Sequence, residues 1–221
     1  MRGSPLRRPL TGLVAGLLVV LPACAQEPPL PAGELWDGAL TFPDFLEGAN
    51  RRVEAWRGNY EAGPGLSPEV LASARQIPGS WRLLVVAEDY CGDSANTVPY
   101  VAGLADELDN LEIRIVNSRT GRGVMEAFPT PDGRGATPTM VLLDDGGRPV
   151  GCLVEQPRPL QEWWLSEAKE IEDDQARYDE KYAWYARDAG RSTTSEIVEI
   201  MAGAAAGTPI CRAWAEGAPG S

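Results

Sequence analysis

Residues Arg82 to Ala87 (Arg-Leu-Leu-Val-Val-Ala) form a nearly unbroken apolar run of strand length. A strand with one wet face alternates apolar and polar side chains. A run without alternation has to be buried on both faces, as a central strand between two covering layers. That requirement already excludes an all-helical bundle and an open one-layer sheet. The neighbouring segments agree with it. A helical pattern runs through Val98, Val101, Leu104, Ala105 and Leu108, and the alternating Leu111–Val116 reads as a second strand. A short helix (123–128), a Pro/Gly-rich loop (129–135) and a third strand, 139–143, come next. Asp144-Asp145-Gly146-Gly147 signals a hairpin turn, with 149–154 as the returning strand. The order β-α-β-α-β-β predicts an α/β fold: a central mixed sheet flanked by helices.

Helices are added at both ends. Phe42, Phe45, Leu46, Ala49, Val53, Trp56 and Tyr60 recur at three- and four-residue spacings and predict one amphipathic helix of about five turns. Thr41 is its N-cap and Gly63-Pro64-Gly65 its stop; Ser67-Pro68-Glu69 opens a second helix ending at Pro78-Gly79. Beyond the core, Leu160 to Gly190 reads as a long helix or a broken pair. Thr193 with Glu196 reads as a capping box for a further helix over 197–206. Trp163, Tyr178 and Tyr182 read as core packing, and the acids Glu170, Glu172, Asp173 and Asp174 as a solvated face rather than a metal cluster.

The first residues read as an address. Arg2, Arg7 and Arg8 precede an apolar stretch over 10–23, too short to span a bilayer comfortably, which is the layout of a secretory signal peptide. Leu21-Pro22-Ala23-Cys24 resembles a lipobox, which would make Cys24 the lipidated residue; Ala23-Cys24-Ala25 equally fits ordinary cleavage. The expected division is therefore signal peptide 1–24, extended tether 25–40, N-terminal helices 41–80, core 81–157, C-terminal helices 158–206 and flexible tail 207–221. The expected location is the periplasm or cell envelope. A net charge of −12 with no five-residue run of Lys and Arg excludes a nucleic-acid binder, and contact with a membrane is expected only through Cys24.

Histidine is absent, so no His-bearing triad or zinc site exists, and no C-x₂₋₄-C pair occurs among Cys24, Cys91, Cys152 and Cys211. Neither metal nor cofactor is expected. Cys91 sits where the buried strand ends and a helix begins, where backbone N–H groups favour a thiolate, the nucleophilic form. The alternative is a buried structural cysteine.

Glu88-Asp89-Tyr90-Cys91-Gly92-Asp93-Ser94 resembles the active-site turn of the thioredoxin-like superfamily, whose common form is W-C-G-P-C. Pro99 matches the proline that kinks the family's active-site helix. Ala136-Thr137-Pro138-Thr139 resembles its cis-proline turn, which borders the active-site cysteine. With Asn96-Thr97-Val98-Pro99, the loop Gly133-Arg134-Gly135 and the region 185–193, the chain is similar to a bacterial branch with a W-C-G-D core. The resemblance is close over 81–157 and loose over 40–205. It implies a thioredoxin-like fold, with Cys91 and Ser94 in catalytic positions and Tyr90, Gly92, Asp93, Thr137 and Pro138 as substrate contacts. The chain departs from the family at Ser94, which replaces the second cysteine, and at Val85, where many thioredoxins bury an acid. Dithiol activity is therefore not implied. Asp93 brings a carboxylate near the thiol, opposing a thiolate, and the Ser94 hydroxyl is expected to donate to it. Two readings remain: monothiol exchange with protein or small-molecule thiols and disulfides, or a redox-inactive binding module. Cys152 and Cys211 could bridge each other, and Cys91 is the expected free thiol.

Overall fold

The computed structural model describes residues 32–130 and 133–212. The expected signal peptide, Cys24 and most of the expected tether lie outside the described residues. Among those described, six strands form one sheet in the order β1-β3-β2-β4-β5-β6. They are β1 (Leu40–Thr41), β2 (Trp81–Val86), β3 (Leu111–Val116), β4 (Thr139–Leu143), β5 (Pro149–Val154) and β6 (Ile210–Arg212). β2 runs parallel to β3 and antiparallel to β4, and β5 is antiparallel to β4. The apolar run of β2 thus lies inside the sheet, and Leu84, Val85 and Val86 are fully buried. The chain has a thioredoxin-like α/β architecture with extra helices at both ends.

The two faces of the sheet carry separate apolar layers. Leu83, Val85, Ile113, Ile115, Met140, Leu142 and Leu153 point to one side. They meet Trp56 of α3 (Val53–Glu61), Val98, Val101 and Leu104 of α5 (Gly92–Asp106), and Ile197 and Ile200 of α9 (Arg191–Ala205). On the other side Leu84, Val86, Val116, Val141 and Leu143 meet Val124 of α6 (Arg122–Ala127) and Trp36. The remaining helices are α1 (Ala32–Leu35), α2 (Phe42–Gly48), α4 (Pro68–Ala74), α7 (Arg158–Leu165) and α8 (Asp174–Asp188).

Four expectations are corrected. The end of the expected tether is folded: Ala32–Leu35 is helical, a 3₁₀ turn spans Trp36–Gly38, and Trp36 is buried. Its ring takes the guanidinium groups of Arg82 and Arg114 at 5.6 and 4.9 Å, so cation–π attraction and apolar burial hold the segment to the sheet. The single five-turn helix is two helices. α2 ends at Gly48, and Arg52 takes a left-handed φ of 51° as the N-cap of α3. The capping box at Thr193 is not formed, because α9 starts earlier, at Arg191 after Gly190, and Thr193 and Glu196 are buried inside it. Finally, the start of the expected tail is β6, which runs parallel to β5 and carries a Cys152–Cys211 disulfide.

Candidate functional site

The site begins where β2 leaves the sheet. Asp89 accepts hydrogen bonds from the Asn50 and Arg51 amides at 2.9 and 3.1 Å, and its carbonyl accepts from the Trp56 indole at 3.0 Å. The Arg52 guanidinium donates to the Tyr90 carbonyl at 2.7 Å. The break between α2 and α3 therefore serves the site: it turns backbone amides and Arg52 onto residues 89–90. Tyr90 itself stands out into solvent, 57% exposed.

Cys91 is the N-cap of α5, with extended backbone angles and its sulfur on the first turn. Sγ accepts from the Ser94 amide at 3.5 Å and donates to the Thr137 carbonyl at 3.2 Å. The Thr137–Pro138 bond is cis. The carbonyl can pair only with the neutral S–H, whereas the amide can pair with sulfur in either state. Cys91 is half-buried and is the free cysteine among the described residues.

Asp93 behaves differently from expectation. It is buried, and its carboxylate turns away from solvent onto α8. Lys181 Nζ donates to Oδ2 at 2.8 Å and lies 2.7 Å from Oδ1, while the Tyr185 hydroxyl donates to Oδ1 at 2.8 Å. Burying two charges costs several kcal/mol each unless they pair and fill their hydrogen-bonding positions, as these do. The acid next to the thiol is thus countered by a buried cation. Ser94 also differs: its hydroxyl is fully buried and makes no hydrogen bond among the described residues, and its backbone amide meets the sulfur instead.

Gly92 lies directly under Tyr182 of α8, whose hydroxyl a Cβ there would overlap. Arg52 approaches the same ring at 5.8 Å. Deeper in α5, Pro99 has no N–H for the Ala95 carbonyl. Asn59 of α3 supplies the missing donor at 2.8 Å and accepts from the Tyr100 hydroxyl at 2.9 Å. Helix α5 is therefore braced by α3 along one side and α8 at its start.

A second acid completes the cluster. Glu155 follows β5 with a left-handed φ of 63°, and its amide donates to the Pro138 carbonyl at 2.7 Å. Its carboxylate takes Arg134 at 3.0 and 3.2 Å. Burial, the largest influence, pushes its carboxyl above the usual range with Asp93 adding to it, while Arg134 and Lys181 pull the other way. Tyr185 is held well above the ordinary phenol range, by burial first and then by the charge of Asp93 and its hydrogen bond, with Cys91 and Glu155 contributing.

The structure therefore brings Cys91, Gly92, Thr137 and Pro138 together at one end of the sheet, with Tyr90 exposed beside them. Asp93 and Ser94 lie beneath the turn, with their side chains directed inward. Lys181, Tyr185, Glu155 and Arg52 were missed by sequence reasoning. Tyr178, read as core, is 45% exposed, and Tyr182 packs on the turn rather than the sheet. Lys181, on the same helical stripe as Tyr178 and Tyr185, was the available signal: a lysine on an aromatic face, if buried, would need an acid partner.

The thioredoxin family model matches residues 39–177. The chain belongs to the thioredoxin family. Two solved structures share this thioredoxin fold. One is a protein of unknown function from Pseudomonas aeruginosa, 21% identical, with a TM-score of 0.61 over 77% of this chain and 96% of that one. The other is an HIV epitope-scaffold, 18% identical, with a TM-score of 0.59 over the same shares. No curated protein matches the chain. The thioredoxin match stops at residue 177, so Lys181, Tyr182 and Tyr185, which frame the turn from α8, lie beyond it.

Proposed function

We propose that this thioredoxin-family protein is exported and carries out monothiol thiol–disulfide exchange through Cys91. The observation that carries this reading is the placing of the free Cys91 sulfur at the N-terminus of α5, against the Thr137 carbonyl of the cis-proline turn. An extended substrate can pair with such a turn while presenting a disulfide to the thiol. The Cys91 thiolate attacks one sulfur of a substrate disulfide; a new S–S bond forms, the old one breaks, and the departing thiolate takes a proton from solvent. An external thiolate then attacks the substrate sulfur of the mixed disulfide and releases the Cys91 thiolate. A second external thiolate attacks the external sulfur of the disulfide so formed, releasing the substrate thiolate, which takes a proton from solvent. Two external thiols are oxidised to a disulfide for each substrate disulfide reduced.

Among the described residues no second free cysteine stands ready to resolve the mixed disulfide. Ser94 occupies the usual resolving position, and Cys152 is buried in its bond with Cys211. The same observation favours the second reading, a binding module that holds a partner through Tyr90 and the Thr137-Pro138 turn without redox chemistry. Iodoacetamide labelling of the native chain separates the two. Exchange predicts that Cys91 is alkylated faster at neutral pH than free cysteine; a Cys91 with the profile of free cysteine, in a protein whose partner binding survives Cys91→Ser, favours the module.

The basic start, the apolar stretch over 10–23 and the Cys152–Cys211 disulfide support an oxidising compartment, with Cys24 as lipid anchor. Anchoring predicts that Cys24→Ser moves the protein from the membrane to the soluble fraction. An unchanged distribution would contradict it.

A further inference from the structure

Asp93 follows Cys91 by two residues in the first turn of α5, and a carboxylate near a thiol disfavours a thiolate. The fold answers this with a residue far away in sequence. Lys181 approaches Asp93 from α8, with its side chain 6% exposed and that of Asp93 10% exposed. Its ammonium also lies 5.0 Å from the Trp164 ring and 5.7 Å from that of Tyr178, so it is enclosed on several sides. An ammonium held in this way has little room to move off its acid.

We infer that Lys181 is a positioning residue for the chemistry of Cys91: it acts through Asp93, cancelling the carboxylate's field at the sulfur and holding the first turn of α5 beneath it. This role rests on the reading of Cys91 as an exchange nucleophile. It assigns the electrostatic setting of the thiol to α8, an element outside the six-stranded sheet and the active-site turn.

The other groups facing the pair complete the field. Tyr185 on α8 donates to Asp93, and Tyr182 on α8 covers Gly92. Glu155, after β5, lies within the electrostatic reach of Asp93 and Lys181 and pairs with Arg134 from the loop before β4. Arg52, ahead of α3, reaches the Tyr90 carbonyl. Glu155 and Arg134 form their own pair, which leaves Asp93 and Lys181 as the matched charges closest to the turn.

Opposite charges give the test its sign. With Asp93→Asn, the Lys181 charge stands alone near the sulfur, and the alkylation midpoint of Cys91 falls. With Lys181→Met, the carboxylate stands alone, and the midpoint rises. The double variant returns close to the parent. Below the midpoint, each single change alters the iodoacetamide rate about tenfold, in opposite directions, as expected when a unit charge near a partly buried thiol loses its partner. A purely structural role loosens the turn in both single variants and moves both profiles the same way.

The measurement uses the full chain with the Cys152–Cys211 disulfide intact and circular dichroism to check folding. If Lys181→Met fails to fold, Asp93→Asn and the double variant carry the test, with Tyr185→Phe as a milder change expected to shift the midpoint up. Profiles that move together, or do not move, overturn the inference. Alkylation reads any thiol, so opposite shifts in a protein that forms no mixed disulfide would sink the exchange reading alone. Mixed disulfides with parallel shifts would sink this inference alone.

Discussion

At the scale of single residues, the turn is governed by which acid meets which base. Asp93 is matched by Lys181 and Tyr185; Glu155 is matched by Arg134, whose side chain is half exposed and so gives a partly screened partner. Burial consequently dominates Glu155 and raises its carboxyl above the ordinary 4.5. In the window above that value the folded chain holds a proton that the unfolded chain has released, so this residue's contribution to stability is lost as pH rises. Glu155→Gln removes the group that titrates. Thermal melts from about pH 4 to about pH 7 should therefore show the variant gaining stability relative to the parent as pH rises. A relative loss over that interval would contradict this role for burial. None of these pairings was legible in the sequence. Asp93 was visible there as an acid beside the thiol, but its partner is 88 residues away, and nothing in local pattern states which acid a distant lysine will meet.

Elements were more legible than their ends. β2 to β5 come from the apolar run, the alternation of Leu111–Val116 and the turn at Asp144–Gly147, because these patterns record burial directly. The N-terminal helix pattern recorded burial as well, and Phe42, Phe45, Leu46, Trp56 and Tyr60 do share one apolar layer. What it could not record is that the chain leaves helical geometry between Gly48 and Val53. The amides of Asn50 and Arg51 bind Asp89 there, a tertiary bond that overrides helix propensity. The Thr193-Glu196 pair failed for a related reason: α9 begins directly after the turn that ends α8, so both side chains are used inside the protein. Pro99 shows the reverse case. Its place inside a helix was legible, and the cost of the lost hydrogen bond is offset by Asn59, which could not have been chosen from sequence.

Across the whole molecule, the fold was legible because a buried central strand, a crossover helix and a closing hairpin leave few arrangements, and the Cys91, Pro99 and Thr137-Pro138 spacing narrows them further. The structure adds what surrounds that frame. β6 extends the sheet and ties Cys211 to Cys152, while α8 and the α2–α3 break close around the turn. Cys91 is thereby left as the free thiol among the described residues, in a braced and partly covered setting. Whether this sulfur is an exchange nucleophile is tested most directly by the intact mass of the native chain after incubation with glutathione disulfide. Exchange predicts a single glutathione adduct mapped to Cys91, removed by dithiothreitol and absent in Cys91→Ser. An unmodified chain, or an adduct that persists in Cys91→Ser, would contradict it.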